Sequence, residues 1–115
     1  MKQYSWVDEF PAAITVCDEQ GIVLEMNAKS LEVFEDDGGA KLIGTNALDC
    51  HPAPARAKMQ ALLDTQRANV YTIKKKGQKK LIYQAPWYKG GQFGGLVEIA
   101  FEIPEVVPNF NRDLA

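Results

Sequence analysis

The chain has 115 residues, of which 46% are hydrophobic and 24% charged, with a formal net charge of −2. That length allows one core and not two. The mild negative charge excludes polyanion binding by bulk electrostatics, and the composition is neither disordered nor collagen-like.

The first ten residues include acids and no apolar run, so they do not read as a signal peptide. No stretch approaches the roughly 18 apolar residues of a membrane span. The expectation is a cytoplasmic protein with no membrane contact. The two cysteines, Cys17 and Cys50, are expected to be free thiols in a reducing compartment. With the single His51 they are too few for a zinc site, which takes four ligands.

In chain order, residues 1–10 form an expected helical extension, with Trp6, Val7 and Phe10 spaced for one helix face and Pro11 as its stop. Residues 13–17 and 22–26 read as two strands of a hairpin turning at Asp18-Glu19-Gln20-Gly21. Asn27 is a good N-cap for a short helix over residues 28–34, with Leu31 and Phe34 facing inward. Acids and glycines at 35–39 break it. Residues 40–43 give one more helical turn ended by Gly44, and residues 45–54 read as irregular around Pro52 and Pro54.

The best helix is expected over residues 55–68, where Met59, Leu62 and Leu63 share a face. The period then changes to that of strands. Residues 70–74, 80–89 and 93–103 read as a three-stranded meander, turning at Gly77-Gln78 and Gly90-Gly91. Pro86 inside the second of these strands implies a bulge or an edge there. Residues 105–115 read as a tail. The sum is an α+β domain over residues 11–104: a five-stranded antiparallel sheet with short helices and one longer helix packed on one face.

This order, with particular residues, resembles the PAS family over about residues 8–104. Phe10-Pro11-Ala12-Ala13-Ile14 looks like the family's entry into its first strand, and Asp18–Val23 resembles its first hairpin. Met26-Asn27-Ala28 resembles the strand-to-helix step, Leu42-Ile43-Gly44-Thr45-Asn46 the turn before the connecting helix, and Gly94-Gly95-Leu96-Val97-Glu98 the glycine-led last strand. Leu48-Asp49-Cys50-His51-Pro52 with Pro86-Trp87-Tyr88 is similar to a bacterial subgroup that sometimes follows hemerythrin-like regions. The resemblance implies a sensory domain whose sheet and helices enclose a pocket, with its output in a partner or an effector. It places Met26, Leu31, Phe34, Leu48, His51, Met59, Leu63, Tyr83, Leu96 and Ile99 as pocket candidates. It also implies a homodimer or a signalling-protein partner, meeting Trp6, Val7, Phe10, Trp87 and Tyr88.

Each chemical feature has a plainer reading beside it. His51 suits haem iron as an imidazole, or it is a hydrogen-bonded loop residue. A covalent haem site would need Cys-x-x-Cys-His, which is absent. The flavin photosensors of the family carry a Cys directly after an Asn, but Ala47 follows Asn46 here, and the Arg and Gln of that motif are missing. Cys50 is a redox candidate only with a depressed pKa and exposure, and otherwise an inert thiol. Cys17 reads as core. Lys74, Lys75, Lys76, Lys79 and Lys80 surround one turn, either as a phosphate contact or as a solvated hairpin that discourages edge-to-edge pairing. No base-reading element accompanies them, so no nucleic-acid partner is expected.

No paired acids, metal cluster or activated nucleophile is apparent, so an enzyme is not expected. Two functions remain: a domain binding a small ligand, or a ligand-free interaction module with a filled core.

Overall fold

The computed structural model describes residues 5–113, without the Cys50 side chain. The elements are β1 (Ala13–Asp18), β2 (Val23–Met26), α1 (Ala28–Val33), three short 3-10 turns (Glu35–Asp37, Gly39–Leu42, Ala47–Cys50), α2 (Ala53–Thr65), β3 (Asn69–Lys75), β4 (Gln78–Lys89) and β5 (Gln92–Glu102). The five strands form one sheet in the order β2-β1-β5-β4-β3, with every pairing antiparallel. This is the expected α+β fold, in which β5 enters between β1 and β4 and so joins the two halves of the chain.

The first hairpin turns because Asp18 folds its carboxylate back, accepting from the backbone N–H of Gln20 and Ile22, both at 2.9 Å. Asn27 then performs four tasks at once. Its Oδ1 caps α1 by accepting from Ser30 N at 3.0 Å and also accepts from Ile14 N at 2.9 Å. Its Nδ2 donates to Ala12 O at 2.9 Å and Val7 O at 3.0 Å. One buried amide thus ties α1, β1 and the N-terminal segment together. Beside it the wholly buried Ser30 hydroxyl meets Thr15 Oγ1 at 2.6 Å, which closes α1 onto the sheet.

The segment before β1 departs from expectation. Residues 6–9 form turns rather than a helix, and Met1–Tyr4 lie outside the described residues. The physical reason is competition for backbone groups. The Val7 carbonyl is taken by Asn27, and Asp8 O accepts from Ala28 N at 2.9 Å. A helix of a few residues ahead of Pro11 cannot repay its nucleation cost. Trp6 and Phe10 still stack edge to face with ring centroids 5.3 Å apart. The residues after β5 carry no regular element as far as Asp113.

Two boundaries also move. Residues 47–50 take a 3-10 turn capped by Asn46 Oδ1, which accepts from Leu48 N at 2.9 Å. Pro54 sits in the first turn of α2, where its missing N–H costs nothing. The segment 44–47 follows the free edge of β2, with Val23 N donating to Thr45 O and Gly44 N to Val23 O. It covers that edge and carries the chain across the sheet towards α2.

β4 and β5 join through Gly90 and Gly91, which have φ of 57° and 80° and form the two-residue turn of mirrored twist that hairpins prefer. The β3–β4 turn has the same form, with Lys76 at φ 52° ahead of Gly77. In β5, Gly95 is forced by crowding: a Cβ there would stand 2.0 Å from the Cys17 carbonyl oxygen. Trp87 packs over neighbouring Gly94, and its Nε1 donates to Cys17 O at 2.9 Å. The bulge expected near Pro86 appears as a register shift between Trp87 and Tyr88.

The core lies on the helix-covered face, where Cys17, Leu62, Leu63 and Leu96 are buried together. Leu48, Met59 and Phe93 pack against them.

Candidate functional site

Strand register decides which residues can meet under the helices. Thr15 pairs with Glu98 and Cys17 with Leu96 across β1 and β5, and Gln84 pairs with Glu98 across β4 and β5. Strand residues alternate in side, so Thr15, Cys17, Gln84, Leu96 and Glu98 all face one way. Above them stand α1, the 3-10 turns and the start of α2. Between these layers lies a cavity of about 330 Å³. Its wall includes Met26, Phe34, Leu42, Met59 and Leu96 as apolar surface, with Thr15, Thr45, His51, Gln84, Asp37 and Glu98 as polar groups. Pockets for small ligands typically span about 300–1,000 Å³ and combine apolar walls with a few fixed polar groups.

The polar floor is ordered by a relay. Asn69 Nδ2 donates to Gln84 Oε1 at 3.0 Å, and Gln84 Nε2 donates to Glu98 Oε1 at 2.8 Å. Because Gln84 receives on one end of its amide, it must donate on the other, which fixes the carboxylate. Glu98 makes no ion pair among the described residues. Its charge reaches neighbouring groups: burial, together with Glu98, raises the Tyr71 hydroxyl above its ordinary pKa. Burial is also the main reason that the Cys17 thiol is pushed up, with Asp18 and Glu98 adding to it. Cys17 is thus an unreactive thiol facing the cavity.

His51 stands at the end of the 3-10 turn before α2. Its Nδ1 lies 2.6 Å from the Ala47 carbonyl, which can only accept, so Nδ1 carries the proton. His51 lines both this cavity and a second one of about 290 Å³, whose wall includes Lys58, Asn69 and Tyr71. Arg56 holds the same turn by donating to Leu48 O and His51 O.

The pocket candidates read from the sequence divide. Met26, Phe34, His51, Met59 and Leu96 come together on the cavity wall. Leu63 and Leu48 belong to the adjoining core cluster, and Leu31 is half-buried on α1 away from the wall. Tyr83 and Ile99 require a correction. They pair with each other on the opposite face of the sheet, since residues 96 and 99 of an unbroken strand point to opposite sides.

Of the surface candidates, Trp87 is committed to its clamp over Gly94. Tyr88 is exposed and stacks edge to face on Phe93. Trp6 and Phe10 are exposed, and Val7 is half-buried. The lysine hairpin is partly committed to the tail: Lys74 pairs with the Glu105 carboxylate, and Lys79 donates to Glu105 O.

The sequence reading missed Thr15, Gln84 and Glu98. The available signal was their spacing of two from the apolar residues Cys17, Ile82 and Leu96, which puts them on the covered face.

The site does not suit the two cofactors considered from sequence. His51 offers Nε2 with its other nitrogen held by a carbonyl, as a metal-bound imidazole requires. A porphyrin's carboxylates, however, would face Asp37 and Glu98, with no lysine or arginine among the described residues of the wall. A flavin phosphate meets the same acids, and Ala47 replaces the reactive thiol.

No family model and no curated protein matches the chain. Solved structures do match it. A C-terminal domain from Streptococcus mutans superposes with a TM-score of 0.67 at 21% identity, covering 84% of this chain and 78% of that one. The PAS domain of BvgS from Bordetella pertussis gives 0.62 at 21% identity over 86% and 82%. The Aer2 receptor of Vibrio cholerae, described as a dual PAS-heme oxygen sensor, gives 0.60 at 17% identity over 81% and 95%. At these identities the likeness is one of fold.

Proposed function

We propose that this chain, which has the PAS fold, is a sensory signalling module and not a catalyst. It binds a small ligand between its sheet and its helices and conveys occupancy to a partner or effector. The observation that carries this reading is the cavity of about 330 Å³, walled by Met26, Phe34, Met59 and Leu96 over a fixed polar floor. A filled core would have no such space. The fold of sensor domains supports the reading by analogy. The subgroup resemblance carried by residues 48–52 and 86–88 adds nothing to the choice of ligand.

The test is native mass spectrometry of the freshly purified chain, beside a Met59→Trp variant that fills the cavity. A reproducible extra mass, lost on denaturation and absent from the folded variant, supports the reading. The bare mass, with no uptake of small apolar probes, refutes it.

A second reading has its own support. Val70, Tyr83 and Phe101 lie on the uncovered face of the sheet and are 57%, 40% and 37% exposed. Such a face is suited to a protein partner or a second copy. Light scattering on the wild type and on Tyr83→Glu tests it: a dimer that becomes a monomer supports an interaction module.

A further inference from the structure

The cavity's charged lining leans one way. Asp37 and Glu98 are acids, Thr15 and Thr45 offer hydroxyls, and among the described residues no lysine or arginine contributes to the wall. Glu98 is half-buried, and its one fixed oxygen is the one Gln84 holds; among the described residues no hydrogen bond reaches Oε2. His51, with its proton committed to Ala47 at Nδ1, presents Nε2 as an acceptor when neutral. The site thus has an excess of acceptors and negative charge inside an apolar shell. Glu98 Oε2 is open to the cavity rather than buried, and a cation supplied by a ligand is attracted to it more strongly beside an apolar wall than in bulk water. The described side chains form no group of three or more metal-ligating residues, so a metal ion is not the natural partner.

From this arrangement we infer that the ligand is a small organic cation, an amine with an apolar body. Its ammonium would sit against Glu98, and its hydrocarbon part against Met26, Phe34 and Met59. The inference rests on the ligand-sensor reading above and narrows it to a chemical class. It disfavours carboxylate and phosphate ligands, which would face two acids in this cavity, with Lys58 only on the adjoining one.

The test titrates the isotope-labelled full chain with three probes of one shape: benzylamine, benzyl alcohol and benzoate. Binding is read from the backbone amides of Met26, Met59, Gln84 and Leu96. Benzylamine is expected to bind at least about tenfold more tightly than benzyl alcohol, a difference of about 1.4 kcal/mol, with benzoate weakest. In Glu98→Gln, which keeps the shape and removes the charge, the preference for the amine should fall to the roughly twofold that Asp37 supplies, while benzyl alcohol binds as before. Asp37→Asn, on the exposed rim, should reduce the preference at least twofold and serves if the first variant does not fold. Benzoate binding as well as benzylamine overturns the inference, as does a preference of about tenfold that survives Glu98→Gln. If benzyl alcohol binds and charge makes no difference, the cavity reading stands and the cation does not. If none of the three probes moves the cavity amides, the ligand-sensor reading itself fails.

Discussion

Asn27 is the residue at which the fold is most exposed to a single change. Alanine in its place removes the α1 cap, worth about 1 kcal/mol. It also strands the Ile14 N–H and the Ala12 carbonyl, both on buried residues, at about 1–3 kcal/mol each. The total is about 3–7 kcal/mol, a large share of the roughly 5–15 kcal/mol of a typical domain. Urea unfolding followed by tryptophan fluorescence and far-UV circular dichroism reads it directly. With a slope of about 1–3 kcal/mol per molar, the midpoint should fall by about 1 M or more. Asn27→Ser keeps an oxygen for the Ser30 N–H but cannot reach β1, so it should recover only about 1 kcal/mol of the loss. Asn46→Ala removes a comparable cap from the less buried 3-10 turn and should cost about 1 kcal/mol. An Asn27→Ala variant less than about 1 kcal/mol below wild type would refute the idea that one amide joins three segments.

Gly95→Ala should lower stability by about 3 kcal/mol or more, because the new Cβ meets the β1 backbone at Cys17 and Asp18, which cannot swing aside. Thermal melts of that variant beside Trp87→Phe, expected to lose only about 0.5–1.5 kcal/mol with its hydrogen bond, separate the crowding from the clamp. Burial raises the Cys17 thiol in the folded chain, so above about pH 8.5 the unfolded chain releases that proton first. The Cys17 contribution is therefore complete at neutral pH and falls as pH rises. Urea midpoints from pH 7.5 to 10 should decline more steeply for the wild type than for Cys17→Val. Lys76→Asn should gain about 0.5–1 kcal/mol, since lysine stands at φ 52° in a turn that favours Asn-Gly, and calorimetry can measure the gain.

The strands and the long helix were legible because their apolar periods are strong, and the turns because Gly77 and Gly90-Gly91 mark them. Strand ends were less so. Residues 75 and 78–79 are charged or polar and look like loop, yet they pair in the ladder because a hairpin ribbon needs backbone partners and not burial. The N-terminal spacing of Trp6, Val7 and Phe10 suited a helix, but the choice was made by Asn27, about 20 residues away, which no local pattern reveals. The cavity was half legible for a related reason. Met26, Phe34, Met59 and Leu96 follow from apolar patterning, whereas the polar floor depends on cross-strand register. A glutamate in a strand looks solvent-facing until Thr15 and Gln84 are known to lie beside it.

That polar floor raises the question of whether it serves stability or a ligand. A structural role would have Gln84 and Glu98 strengthen the junction of β4 and β5. A ligand role would have them held at some cost, since an apolar pair of similar shape would fill the layer without desolvating a carboxylate. The double variant Gln84→Leu/Glu98→Leu decides between them. It removes both partners of the Gln84–Glu98 bond together, leaving only the half-buried Asn69 Nδ2 to turn to solvent, and replacing both partners by apolar groups of similar shape can be nearly neutral or stabilising. If the floor exists for a ligand, the melting temperature should hold or rise, by about 4–8 °C for each kcal/mol gained in a domain near this size. Benzylamine should no longer bind in preference to benzyl alcohol. A fall of several degrees would show that the relay holds the sheet together, and the unpaired carboxylate would then need no ligand to account for it.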